Sequence, residues 1–232
     1  MIVIREAEER GRTLLDWLDS RHTFSFGDYH DPAHMGFGPL RVVNDDRVQP
    51  GAGFPAHFHR DMEILTYVLE GALAHRDSLG TGSVIERGEV QRMTAGTGIG
   101  HSEYNPSDLE PVHFLQIWLV PETSNLPPSY EQTAFPDQEK RGRLRLIAAR
   151  DGRQGAITVH QDVDLFATLL RAGEQVTYEM RPSRKVWVQV AQGGVLLNDK
   201  RLSAGDGAAV RDEPVLALTG NRAAEVLLFD LS

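Results

Sequence analysis

Short apolar runs recur along the chain, each broken by glycine, proline or a polar turn. Residues 64–70 (ILTYVLE), 112–119 (VHFLQIWL), 186–191 (VWVQVA) and 226–231 (VLLFDL) are rich in Val, Ile, Leu, Tyr and Phe, and they read as strands. With 22 glycines and 12 prolines punctuating 232 residues, the pattern predicts an all-β sandwich or barrel of many short strands. One stretch departs from it. Residues 6–19 (EAEERGRTLLDWLD) have the spacing of an amphipathic helix, interrupted by Gly11.

Residues 121–140 (PETSNLPPSYEQTAFPDQEK) carry four prolines and little apolar periodicity, as a linker or long covering loop would. The length suits one large domain or two smaller ones, and this stretch places a boundary between domains at 1–130 and 131–232. The two sides repeat a pattern. TYVLEGALAHRDSLGTGSVIERGEV (66–90) and VQVAQGGVLLNDKRLSAGDGAAV (188–210) each run strand, glycine, strand, polar turn, then Gly-Glu or Gly-Asp before another strand, which points to two copies of one β unit.

Composition narrows the function. Hydrophobic residues make up 41% and charged residues 25%, enough for a real core. The net charge of −9 has the wrong sign for gripping a phosphate backbone, so a nucleic-acid partner is not expected. Cysteine is absent, which removes thiolate ligands, disulfides and cysteine nucleophiles. With no signal-like N-terminus and no run of about 18 apolar residues, the reading is a cytoplasmic protein without membrane attachment.

Two places carry candidate chemistry. In AHFHRDMEILTYVLEG (56–71), His57 and His59 stand two apart, so on a strand both imidazoles share a face roughly 6.5 to 7 Å apart while Phe58 points away. In AGTGIGHSEYN (95–105), His101 and Glu103 repeat that spacing behind three glycines. Together they offer three imidazoles and one carboxylate, a set that suits Fe(II), Mn(II), Ni(II), Cu(II), Zn(II) or Co(II) and leaves positions open, with Fe(II) the leading expectation. The other histidines, His22, His30, His34, His75, His113 and His160, read first as packed, hydrogen-bonded or exposed, with His22 and His34 able to reach a pocket rim. Phe24, Phe26, Tyr29 and Phe37 read mainly as core or wall, against which a flat aromatic substrate could stack. The second half has no counterpart histidines: MRPSRKVW stands where His57 and His59 would fall.

Residues 51–71 resemble the first cupin motif, with Gly51, His57, His59, Glu63 and Gly71 in order, and Gly98, His101 and Asn105 resemble part of the second. Gly96-Thr97-Gly98 replaces the usual Pro-x-Gly, and Gly71 falls one residue late. Those departures are similar to the pirin branch of the cupins, as are LDSRHTFSFGDYHDPAHMGFGPLRVVNDD (18–46), MTAGTGIGHSEYNPS (93–107), TVHQDVDLF (158–166) and EVLLFDL (225–231). The chain most resembles the bacterial pirin-like quercetin 2,3-dioxygenases. The resemblance implies two cupin barrels face to face, only the first carrying metal, with His57, His59, His101 and Glu103 as ligands. Glu63 is the competing carboxylate, a ligand in other cupins or else a group that handles protons.

The activity implied is dioxygenation of quercetin or a related flavonol with release of carbon monoxide, Glu103 or Glu63 accepting the substrate proton, in a monomer that takes O2 and a small aromatic molecule. A regulatory reading stands beside it: a metal-dependent, redox-responsive interaction protein of the pirin type, with a protein partner. Other metal-dependent cupin chemistry is a third.

Overall fold

The computed structural model describes all 232 residues. β1 (Ile2–Arg5) leads through a 3-10 turn at Ala7–Glu9 into a hairpin of β2 (Gly11–Leu15) and β3 (Leu18–His22), so the helix predicted over 6–19 does not form. Alternation overrides the helical spacing: Leu18, Ser20 and His22 are buried on one face of β3, while Leu14 and Leu15, which a helix would have had to bury, stay exposed.

Strands β4 (Leu40–Val48), β5 (Gly53–His59), β6 (Glu63–Glu70), β7 (Ala72–Asp77), β8 (Gly82–Glu86), β9 (Glu89–Thr94), β10 (Ile99–Tyr104), β11 (Val112–Leu119) and β12 (Ser129–Ala134) follow. They form a seven-stranded sheet, β12-β9-β6-β11-β4-β3-β2, and a four-stranded sheet, β5-β10-β7-β8. Leu18, Val48 and Phe114 of the larger sheet pack with Leu73 and Ile85 of the smaller one, closing an apolar core at one end of the unit.

Beyond the short helix α1 (Asp137–Lys140) lie β13 (Arg145–Ala149), β14 (Ile157–Thr158), β15 (Val163–Leu170), β16 (Gln175–Glu179), β17 (Lys185–Gln192) and β18 (Gly194–Leu197). The chain ends with β19 (Lys200–Ser203), β20 (Gly207–Val210), β21 (Val215–Gly220) and β22 (Ala224–Leu231). These build a second unit of the same kind, with sheets β1-β20-β17-β22-β15-β13-β14 and β16-β21-β18-β19. All four apolar runs read from the sequence are strands: β6, β11, β17 and β22. Each unit is a pair of open sheets in jelly-roll fashion, not a closed barrel.

The units divide the chain differently from a cut at 130/131. One comprises Gly11–Ala134 with Val159–Gln161, the other Met1–Arg10, Phe135–Thr158 and Asp162–Ser232. The first ten residues join the second unit because β1 pairs with β20. The proline-rich stretch is only partly a loop, since its strand β12 pairs with β9 as far as Ala134↔Glu89 and α1 follows.

The internal repeat is structural. β6–β9 and β17–β20 run through equivalent turns at Gly71 (φ 74°) and Gly193 (φ 76°), both left-handed. A Cβ on Gly193 would lie 1.8 Å from the Ala223 carbonyl oxygen, so glycine is required there for space as well as for conformation. No helix is long and apolar enough to cross a membrane.

Candidate metal centre

The small sheet of the N-terminal unit brings the two His-bearing segments together. β5 and β10 pair antiparallel with His57 opposite His101 and His59 opposite Ile99. Gly53 permits this approach, because a Cβ there would lie 2.2 Å from the Glu103 carbonyl oxygen. The register slips between His101 and Glu103, a bulge of the kind that re-aims side chains beside functional sites. Phe58 points away from the cluster and is 83% exposed, as the alternation requires.

The three imidazole rings lie 4.4 Å (His57 to His101), 4.7 Å (His57 to His59) and 4.9 Å (His59 to His101) apart, and each offers a nitrogen within 4.8 Å of the others. His57 Nδ1 donates to the Pro55 carbonyl at 2.8 Å, which fixes the tautomer and leaves Nε2 with its lone pair free. Both ring nitrogens of His101 are buried without a protein partner. Burial, reinforced by neighbouring histidines, pushes the imidazolium form down to about 4 at His59 and about 2 at His101. At neutral pH these two are uncharged nitrogen donors, so the residues present fit a divalent transition ion.

Glu103 is buried beside His101 and is firmly held. Its Oε1 accepts from Gln91 Nε2 at 2.7 Å and its Oε2 from Gln116 Nε2 at 3.0 Å. Burial raises its pKa, against the pull of His75 and of those hydrogen bonds. By reach it groups with His101 and His75, whose donor atoms lie within 4.8 Å of one another, so His101 belongs to both clusters. His75 is hydrogen-bonded, as expected: Nε2 donates to Asp77 at 3.0 Å, while Nδ1 has no partner. Its place beside His101 was not anticipated; the signal was a third i, i+2 pair, His75 and Asp77, on the strand after Gly71.

Glu63 lies elsewhere. It is fully buried, and its Oε2 accepts from the backbone N–H of His160 at 3.1 Å, with His160 Nδ1 at 3.2 Å. On β6 it faces opposite to Ile64 and Thr66, and it does not line the cavity described next. The remaining histidines mostly have structural partners: His34 pairs with Asp31 and His113 with Asp45.

A cavity of about 120 Å³ opens beside the three histidines, lined by His57, His59, His101 and Glu103 and walled by Phe26, Phe54, Ile64 and Trp118. Of the four aromatics of the N-terminal segment, Phe26 lines the cavity, meeting Trp118 edge to face at 5.4 Å and a tilted His22 ring at 5.3 Å. Phe24, Tyr29 and Phe37 do not line it.

Comparison with known proteins settles the family. Residues 3–119 match the family model described as Pirin, and residues 146–231 match the one described as Quercetinase C-terminal cupin domain. The chain belongs to the pirin family. It has two cupin domains, all-β as read from the sequence. A relative from Escherichia coli K12 named quercetin 2,3-dioxygenase is 47% identical over 100% of this chain and 99% of its own. A pirin-like protein from Caulobacter vibrioides is 41% identical, covering 92% of each chain. Among solved structures, the bacterial pirin YhhW of Escherichia coli in complex with nickel(II) superposes with a TM-score of 0.95 at 48% identity, covering 100% of this chain and 99% of that one. The histidine and glutamate side chains gathered here fit a divalent-metal site.

One more carboxyl group shares the cavity. Asp46 is 3% exposed, and burial, with smaller contributions from Asp45 and Glu103, pushes its pKa up to about 7 against a hydrogen bond from Ser20. As pH rises, the unfolded chain loses this proton near the ordinary 3.8 while the folded chain keeps it until near 7, so stability falls across that window. Asp46→Asn, which mimics the protonated acid, should flatten the loss. The variant is expected to gain a few kcal/mol over the wild type above pH 7 and nothing below pH 4, read from denaturant midpoints along a pH series.

Proposed function

We propose that this protein is a dioxygenase that opens the central ring of quercetin or a related flavonol with O2 and releases carbon monoxide. The observation that carries the reading is the cluster of three imidazoles, buried or half-buried, opening on an aromatic-walled cavity with the anchored carboxylate Glu103 behind it. The quercetin 2,3-dioxygenase name of the relative at 47% identity supports the substrate. His57, His59, His101 and Glu103 would hold the ion, with Fe(II) proposed for the cell. Bound there, a divalent ion supplies Lewis acidity that lowers the pKa of an oxygen acid brought to it.

The chain's own groups do the rest. Three neutral imidazoles and one carboxylate leave one net positive charge on a loaded site, so an acidic enol such as the flavonol 3-hydroxyl is favoured over a neutral ligand. Glu103 is the carboxyl group of the ligand set placed to take the proton, and Gln91 and Gln116 keep it oriented. Glu63 holds the His160 segment and does not line the cavity, which favours Glu103 over it as the proton acceptor. Phe26, Phe54 and Trp118 exclude water from the electron-rich ring that O2 then attacks.

The test is oxygen consumption with quercetin, with carbon monoxide collected. Uptake of one O2 per flavonol is expected from metal-loaded protein, lost on chelation and restored by Fe(II) or Ni(II). No uptake with any divalent ion would remove the reading.

A further inference from the structure

A row of polar side chains crosses the inner face of the large sheet of the N-terminal unit. In register on β9, β6, β11, β4 and β3 stand Gln91, Thr66, Gln116, Asn44 and His22. Apart from Gln91 Oε1, which is buried without a partner, the row is largely satisfied from within. Gln91 donates to Thr66 (2.8 Å), Thr66 donates to Gln116 (3.2 Å), and His22 Nδ1 donates to Asn44 Oδ1 (2.9 Å), with Thr13 Oγ1 2.9 Å from His22 Nε2. These bonds buttress Glu103 at one end and leave little capacity for a ligand.

Asp46 breaks the pattern. It lies two residues after Asn44 on the same face of β4, opposite Ser20, whose hydroxyl reaches one of its oxygens. Its Oδ1 is buried with no partner. The neighbouring Asp45, pointing the other way, shows what a structural carboxylate looks like here: His113 Nε2 lies 2.7 Å away and Arg47 3.3 Å. Asp46 has no cation beside it and lines the cavity, and no lysine or arginine lines that cavity anywhere. A buried carboxyl oxygen without a partner costs stability, and the nearest place for one is the cavity itself. Trp118 Nε1, also buried and unpartnered, belongs to another lining residue.

We propose that Asp46 is a substrate-anchoring residue, bonding through Oδ1 to a hydroxyl on the ring that enters the cavity while the substrate's acidic enol faces the histidines. This deepens the flavonol reading and rests on it. The substrate class is a planar aromatic with one acidic enol, at least one further uncharged phenolic hydroxyl, and no second anion. A carboxylated or sulfated ring would meet two buried carboxyl groups and no compensating cation. The free volume of about 120 Å³ is well below the roughly 300 Å³ at which small-molecule pockets usually begin, which fits one ring entering and the remainder lying at the mouth beside half-exposed His57.

The test is an anaerobic titration of the nickel-loaded full chain with quercetin, which carries hydroxyls on both outer rings, and with 3-hydroxyflavone, which has only the coordinating one. The wild type is expected to bind quercetin at least about tenfold more tightly. Asp46→Ala should reduce that preference to within about twofold by weakening quercetin alone, and Asp46→Asn, which retains an acceptor oxygen, should fall between. Nickel content and thermal midpoint, measured on the same samples, report folding independently. A preference unchanged in both variants, or equal loss for both ligands, overturns the anchoring role and leaves the flavonol reading standing. Failure of the loaded wild type to bind either flavonol overturns both.

Discussion

His101→Ala is expected to leave the protein unable to retain a divalent ion, with metal content falling from about one per chain to near zero and quercetin-dependent oxygen uptake lost with it. His101 has no redundancy. It is the residue common to both donor clusters, lies 4.4 and 4.9 Å from the other two rings of the triad, and is only 3% exposed. Altering groups outside the coordination sphere commonly costs 10 to 100-fold in metal affinity, so removing the central donor should cost more. The fold should survive, because neither ring nitrogen of His101 bonds to protein and the backbone pairing of β10 with β5 and β7 does not involve its side chain. Elemental analysis beside a thermal melt decides the matter. Metal loss with an intact melt supports the assignment, whereas a variant that keeps its ion would place the site elsewhere.

The strands of this protein were legible because their chemistry is local. A run such as VHFLQIWL can be little else between turn residues, and β11 follows its bounds. The pairing of His57 with His59, and of His101 with Glu103, was legible for the same reason: side chains two apart on a strand share a face without any knowledge of the fold. What failed was whatever depended on partners distant in sequence. Residues 6–19 have helical spacing, yet β2 and β3 form because β4 offers an open edge, with Leu18 opposite Val48 and His22 opposite Asn44. The first ten residues left their neighbours to pair with β20, some 200 positions away, which no composition shift announces. Asp46 and the Gln91–Thr66–Gln116 row were invisible for a related reason: they assemble only when five strands settle in register. His75 read correctly as hydrogen-bonded, but its position beside His101 comes from the β7–β10 pairing.

Glu103, which the sequence favours as the ligand, and its competitor Glu63 should part company on substitution. Glu103→Gln is expected to weaken metal binding by about 100-fold or more, while Glu63→Gln leaves metal affinity within about threefold and lowers stability instead. At Glu103 the loss is of charge and of fit: both oxygens accept from amide donors, Gln91 and Gln116, so a glutamine there sets one N–H2 against another. Its buried carboxyl holds its proton above the ordinary range, so metal uptake should release that proton and affinity should fall as pH is lowered. Glu103→Gln should lose this part of the pH dependence. At Glu63 the carboxylate binds the backbone and ring of His160, not the cavity, and its substitution removes a buried charge-assisted bond worth about 1.5 to 3 kcal/mol. Metal titrations at several pH values with parallel denaturant melts separate the cases. A Glu63 variant that loses its ion while Glu103→Gln keeps it would reverse the assignment, and with it the view that the carboxylate of the second motif, not the first, completes the donor set.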